Sequence, residues 1–226
     1  MIAHRHPRSA LLAMLLVIAW LPVGASDLLD LRGIEAIHGD VDAGKTKAAV
    51  CMGCHGPVGV SPVPTFPNLA GQHAEYLYWQ LMELKREARP ESPMTAQVAH
   101  LDDAAMRDLA VYFSSLPAAI PTQGTTSSVR GSQLYGEGDA SAGIPPCQGC
   151  HGRNAEGHPL AQGDAHWRAY PVLRGQHAAY LAQRLKDFQN GKHTLSSNDR
   201  IMTPIAQTLD DASITALAAW LESPTR

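Results

Sequence analysis

The sequence carries one six-residue pattern twice, as CMGCHG at residues 51–56 and as CQGCHG at residues 147–152. These two stretches contain all 4 cysteines of the 226-residue chain. The pattern Cys-x-x-Cys-His is typical of covalent haem c attachment, in which both thiols bond to the porphyrin and the histidine binds the iron. The sequence therefore predicts two haem groups. The attachment residues would be Cys51, Cys54, Cys147 and Cys150, and the iron ligands His55 and His151.

Three other interpretations of these cysteines compete with haem attachment. A redox-active cysteine pair has no use for a histidine after both copies, and a zinc site with four thiolates would not need the histidines. Two disulfides are an option in any exported chain.

The N-terminus predicts export. Residues 1–26, MIAHRHPRSALLAMLLVIAWLPVGAS, begin with Arg5 and Arg8, continue with an apolar run and end on small residues. The run is short for a membrane span, so a signal peptide over residues 1–25, cleaved near Ala25, is favoured. The predicted location is the bacterial periplasm, where c-type haem is attached. A retained segment would instead give peripheral association with the membrane.

The charge excludes nucleic acid as a partner. Of the 18 Lys and Arg residues, Arg5 and Arg8 lie in the predicted signal peptide, so its removal leaves 16 against 21 Asp and Glu, a net charge of −5. A mildly acidic chain without a basic patch does not bind a phosphate backbone. The charge is also uneven, because residues 27–120 hold 7 basic and 12 acidic residues, whereas residues 121–226 hold 9 of each.

Two further blocks recur after the motifs. FPNLAGQHAEYLYWQL at residues 66–81 matches YPVLRGQHAAYLAQRL at residues 170–185. SPMTAQVAHLDDAAMRDLAVYFSSL at residues 92–116 matches RIMTPIAQTLDDASITALAAWLESP at residues 200–224. The chain is therefore predicted to consist of two homologous domains, residues 26–115 and 129–226, joined by a linker over residues 116–128 that is rich in Pro, Gly, Ser and Thr.

Both halves predict helices and no β-sheet. Asp102 and Asp210 stand at the expected start of the last helix of each half, where acidic residues oppose the helix dipole. Apolar residues then recur at the three-and-four spacing of a buried helix face. They are Met106, Leu109, Ala110 and Phe113 in the first half, and Ile214, Leu217, Ala218 and Leu221 in the second.

Met94 and Met202 occupy matched positions and are the candidates for the sixth ligand of each iron. Both are expected in a proline-bearing loop before the last helix, and thioether ligation would raise the haem potential. His73 and His177 also match and are the rival ligands, but each stands at the start of its own helix.

Pro67 and Pro171 lie in matched loops two residues before Leu69 and Leu173. Because a ligating imidazole usually donates its other N–H to a carbonyl, the carbonyls of these prolines are candidates for orienting the two iron-binding histidines. The alternative is that each proline only makes a rigid turn.

These blocks, together with GDVDAGKTKAAVCMGCHG at residues 39–56, resemble the cytochrome c4 family of bacterial dihaem cytochromes. The resemblance implies an all-α fold of two tandem class I cytochrome c domains, packed with the haem propionate edges facing each other. It also implies His/Met ligation at both irons and electron delivery to a terminal oxidase. The sequence departs from the family in two long loops, GEGDASAGIPP before Cys147 and RNAEGHPLAQGDAHWRAY after His151. These loops bear on the geometry of the exposed edge of the second haem and not on its ligation.

With His and Met on both faces, each iron would have no open position for a substrate, so the sequence predicts a single-electron carrier and not an enzyme. Its redox partners would be a terminal oxidase, a quinol–cytochrome c reductase or a dehydrogenase. The alternatives are a cytochrome subunit of a periplasmic dehydrogenase, and a dihaem enzyme of the peroxidase or thiosulfate-oxidising type. The sequence does not decide whether SDLLDLRGIEAIHGD, at residues 26–40, is a flexible leader or a docking segment.

Overall fold

A computed structural model describes Met1 and residues 28–86, 92–120 and 128–224 of the chain. The described residues form α-helices and short 3-10 turns, and the only β-type pairings among them are two isolated bridges. The helices are α1 (Val41–Lys47), α2 (Met52–His55), α3 (Ala74–Lys85), α4 (Pro93–Val98), α5 (Asp103–Ser115), α6 (Val129–Glu137), α7 (Gln148–His151), α8 (Ala165–Arg168), α9 (Ala178–Gln189), α10 (Ser197–Gln207) and α11 (Asp211–Glu222). The predicted all-α fold is confirmed for this part of the chain.

The two halves repeat the same order of helices. Helices α1 to α5 of the N-terminal half correspond to α6, α7, α9, α10 and α11 of the C-terminal half, and α8 is an addition to the second. Residues 2–25 of the predicted signal peptide and residues 121–127 of the predicted linker lie outside the described residues. No helix in the described part of the chain is long and apolar enough to cross a membrane.

The predicted starts of the last helices are confirmed. Asp102 caps α5, since its carboxylate accepts a hydrogen bond from the backbone N–H of Ala105 at 2.8 Å. Asp210 caps α11 in the same way through Ser213 at 2.7 Å. Such caps satisfy backbone donors that the first helical turn would leave unpaired.

The predicted apolar faces of these two helices form the core of each half. Every one of the eight side chains is 4% exposed or less. In each half the first and last helices then cross in close contact, and a glycine permits it. A Cβ atom on Gly44 of α1 would lie 2.1 Å from the carbonyl oxygen of Asp108, and one on Gly131 of α6 would lie 2.0 Å from that of Ala216.

The expectation that Met94 and Met202 lie in loops is wrong. Met94 is in α4, where Ser92 caps the helix and Pro93 occupies its first position, a place that tolerates proline. Met202 is in α10, which begins with a capping box formed by Ser196 and Asp199 and continues through Pro204. The helix caps outweigh the disruption that the prolines suggested.

Candidate haem-binding sites

Each Cys-x-x-Cys-His motif forms one helical turn. The backbone N–H of His55 donates to the carbonyl of Cys51 at 3.0 Å, and that of His151 donates to the carbonyl of Cys147 at 3.1 Å. Residues three apart on a helix lie on one face, so the two thiols of each motif are presented side by side. All four cysteines are free thiols, with Cys54 exposed and the other three half-buried.

A glycine ends each turn. Gly56 has φ 79° and ψ 157°, and Gly152 has φ 81° and ψ 157°. A Cβ atom on Gly56 would lie 2.0 Å from the carbonyl oxygen of Val60, and one on Gly152 would lie 1.9 Å from that of Gly157. Only glycine fits both the positive φ and this space. The glycine after the histidine therefore sets the direction in which the chain leaves each attachment turn.

The two motif histidines are buried and oriented as predicted. His55 is 4% exposed and places Nδ1 2.9 Å from the carbonyl oxygen of Pro67. His151 is 6% exposed and places Nδ1 3.0 Å from that of Pro171. This contact makes Nδ1 the donor and directs Nε2 away as the nitrogen for iron. Burial lowers the pKa of both imidazoles, against the effect of the proline carbonyls, and so favours the neutral form that binds a metal.

The thiols do not resemble a reactive pair. Burial raises the pKa of Cys147 to about 11, and it also raises the pKa of Cys51 and Cys150. A redox-active pair depends on a lowered thiol pKa. Among the described residues, no clustered set of metal-ligand atoms includes any of the four cysteines, so the zinc interpretation gains no support either. Reduced thiols beside an oriented, neutral imidazole fit the attachment of haem c.

The candidate methionines lie outside the core clusters of the described residues, to which Met82 and Met106 belong. Met94 and Met202 are half-buried, each on the helix that precedes the last helix of its half. Met106 is 2% exposed and belongs to the core of the N-terminal half, and Met82 packs against that core from α3. Methionine ligation of both irons remains a prediction.

The rival histidines lie at the interface between the halves. Nδ1 of His73 is 3.1 Å from the carbonyl oxygen of Tyr170, and Nε2 of His177 is 2.9 Å from that of Ser61. Each ring thus contacts the other half. The ring of His73 lies so close to Gly157 that a Cβ atom there would be 2.8 Å from its Cε1. The repeated histidines hold the two halves together.

Two glutamines beside these histidines make reciprocal contacts. Gln72 accepts from the backbone N–H of Val172 and donates to its carbonyl, both at 2.9 Å. Gln176 accepts from the N–H of Asn68 at 2.8 Å and donates to its carbonyl at 3.0 Å. Asn68 and Val172 each follow the proline whose carbonyl orients a motif histidine. Packing of the two halves was expected from the family resemblance, but these glutamine and histidine contacts were not, although the repeated Gly-Gln-His marked the residues that make them.

The inserted segment after His151 also belongs to the interface. It forms a 3-10 turn at Pro159–Gln162 and helix α8, and Arg168 of α8 makes an ion pair of 2.9 Å with Glu75 of α3. The side chain of Glu75 is only 3% exposed, and it also accepts from the backbone N–H of Ile37 at 3.1 Å. The insertion therefore packs against the N-terminal half.

Comparison with known proteins extends these similarities over most of the chain. The cytochrome c family model matches residues 41–117 and 128–224. Cytochrome c4 of Azotobacter vinelandii is 37% identical over 203 residues, which cover 86% of this chain and 93% of that protein. The thiosulfate dehydrogenase electron acceptor of Thiomonas intermedia is 34% identical over 196 residues, which cover 81% of this chain and 84% of that one. Reduced recombinant cytochrome c4 from Pseudomonas stutzeri matches with a TM-score of 0.72 at 37% identity, covering 83% of this chain and 100% of that chain.

The motifs, their geometry and these similarities agree on the cofactor. The chain binds two haem c groups covalently, one through Cys51 and Cys54 and the other through Cys147 and Cys150.

Proposed function

This chain belongs to the cytochrome c4 family, and from that premise we propose that it carries single electrons in a bacterial periplasmic respiratory chain to a terminal oxidase. It is a dihaem electron carrier with an all-α fold of two tandem class I cytochrome c domains. The observation that carries the proposal is the repeated attachment turn with its histidine fixed by a proline carbonyl, because both haem sites are built alike. The domain boundaries 26–115 and 129–226, with a linker at 116–128, are part of the proposal.

In this proposal His55 and Met94 bind one iron, and His151 and Met202 bind the other. When bound, each haem supplies an iron that gains and loses one electron. The carbonyls of Pro67 and Pro171 hold the imidazoles in a fixed orientation, which increases their basicity. A closed set of protein ligands leaves no position for a substrate, so we assign no catalytic residue.

The interface supports passage of electrons between the halves. Gln72 and Gln176 tie the loop that holds each motif histidine to the opposite half. The rigid connection would keep the distance between the two sites constant during transfer. A quinol–cytochrome c reductase is the proposed donor, and no nucleic acid is expected as a partner.

The periplasm is the proposed location, since haem c is attached outside the cytoplasmic membrane in bacteria. The supporting sequence feature is the signal peptide predicted at residues 1–25. If that segment is retained, the protein would be held at the membrane periphery.

The proposal is tested by mixing the reduced protein with membranes that contain a terminal oxidase and following haem oxidation. Rapid oxidation that oxidase inhibitors abolish is expected. Oxidation no faster than that by air alone would contradict delivery to an oxidase.

A dehydrogenase is the second candidate partner, because two relatives are named thiosulfate dehydrogenase electron acceptor. The chain would then receive electrons from that class of enzyme. Purified thiosulfate dehydrogenase and thiosulfate should reduce both haems in this case. The protein alone should convert neither thiosulfate nor peroxide, and turnover by the isolated protein would instead favour a dihaem enzyme.

A further inference from the structure

The segment that precedes the first helix crosses to the other half of the molecule. The backbone N–H of Leu29 donates to the carbonyl of Leu195 at 2.7 Å, and the N–H of Ser197 donates to the carbonyl of Leu29 at 2.9 Å. These bonds form a short parallel bridge between Leu29 and Ser196. Residues 28–33, called the leader here, are thus joined to the chain that enters α10.

Leu31 makes further contacts with the C-terminal half. Its backbone N–H donates to Oγ of Ser197 at 3.0 Å in a buried hydrogen bond, and its carbonyl oxygen lies 3.2 Å from Nδ1 of His166. The Leu31 side chain is 3% exposed and clusters with Leu29, Ala169 and Trp79. Since Trp79 is on α3, the leader fills the space between α3, α8 and the start of α10.

The start of α10 is consequently held from several sides. Ser196, its cap, is 1% exposed, and Asp199 completes the capping box within the helix. Asn198 donates to the carbonyl of Ala169 at 3.1 Å. Met202 follows Ser197 by five residues, roughly one and a half helical turns. Ser197 and Met202 therefore belong to the same helix, and a displacement of its start would be passed along the helix to Met202.

We propose that the leader is a positioning strap that holds the start of α10 and so keeps Met202 on the iron of the C-terminal half. Leu31 and Ser197 are its positioning residues. The inference rests on the proposed ligation by Met202. The leader is hydrogen-bonded to the start of α10, the helix of Met202, so its effect is expected at the haem of the C-terminal half. Without it, α10 would open more often, and an external ligand would replace the methionine more easily.

The test uses the mature dihaem protein with the substitutions Leu31→Ala, Ser197→Ala and, as the matched control, Arg32→Ala. The Arg32 side chain is 71% exposed and, among the described residues, pairs with neighbouring Asp30. Two quantities are measured. One is the rate at which cyanide binds each ferric haem, and the other is hydrogen exchange of peptides covering residues 197–203. The haem of the C-terminal half is identified from the resonances that shift in Met202→His.

We expect Leu31→Ala to accelerate cyanide binding at the haem of the C-terminal half by at least about tenfold, because it removes a buried leucine side chain. Ser197→Ala, a milder change, should give about fivefold through the loss of one hydrogen bond. Exchange at residues 197–203 should rise in parallel. The other haem, and both haems of Arg32→Ala, should behave as in the unaltered protein.

Unchanged cyanide rates despite faster exchange would overturn the proposal, since the leader would then stabilise the fold without acting on the ligand. Equal acceleration at both haems would overturn it as well. A failure of the underlying ligation is visible separately, because the unaltered protein would then show no methionine resonances for the haem of the C-terminal half.

Discussion

Pro67 and Pro171 begin short loops that serve two purposes. Their carbonyls orient the motif histidines, and the residues that follow them pair with a glutamine of the opposite half. A shift of the interface would therefore reach the motif histidine through a single peptide unit. The candidate haem sites and the interface therefore share the same two peptide units.

Met202→Ala should remove the sulfur ligand from one of the two irons. The sulfur-to-iron charge-transfer band of the oxidised protein should fall to about half, and the potential of that haem should drop because thioether ligation favours the reduced state. The optical spectrum and a redox titration measure both effects. Met106→Leu is the matched control, since Met106 is buried in the core, and it should leave the band intact.

Gly56→Ala should destabilise the N-terminal half by about 2 kcal/mol or more, because alanine is strained at this positive φ and its Cβ would contact the carbonyl of Val60. Gly136→Ala is the control, as nothing lies within 4 Å of a Cβ there. Denaturant unfolding of both haem-loaded variants measures the difference. Equal stability of the two would contradict the role assigned to Gly56.

Single residues differed in how far the sequence could predict them. The carbonyl role of Pro67 and Pro171 followed from the known need of a ligating imidazole for an acceptor. The partners of Gln72 and Gln176 could not be found in this way, because they are about a hundred positions away in the chain. Contacts between distant segments leave no local pattern.

At the scale of elements, periodicity and caps sufficed for α5 and α11, whose buried faces and capping residues the sequence shows directly. They did not suffice for α4 and α10. Proline suggested a loop there, whereas Ser196 and Asp199 show the spacing of a capping box and were the better guide. In the inserted segment the cap of α8, Asp164, was a local signal, whereas the contact of α8 with α3 in the other half had none.

Gln176→Leu should weaken the contact between the halves. It leaves the N–H and carbonyl of Asn68 without their partner, at about 1–3 kcal/mol for each buried group. We expect slower electron transfer between the haems and a lower unfolding midpoint. Flash-induced electron transfer and denaturant titration measure these. Gln133→Leu, at an exposed position of α6, is the control, and a result equal to that of the control would exclude a role of Gln176 at the interface.

At the scale of the whole molecule, the uneven charge predicts a direction for electron flow. Residues 27–120 hold 7 basic and 12 acidic residues, and residues 121–226 hold 9 of each. Excess negative charge stabilises ferric iron, so the haem of the N-terminal half should have the lower potential. Voltammetry of the full chain should resolve two waves, and Met202→His should move only the higher one. If it moves the lower wave, the assignment is reversed.

Ligation of both irons by a histidine and a methionine would leave no open coordination position and would make this chain an electron carrier. The most direct test is the magnetic circular dichroism of the oxidised, mature protein, with the sulfur-to-iron charge-transfer band measured per haem. We expect two low-spin, methionine-ligated haems. One high-spin haem, or one without methionine, would contradict it and would make an enzyme with its active site in that half the better explanation.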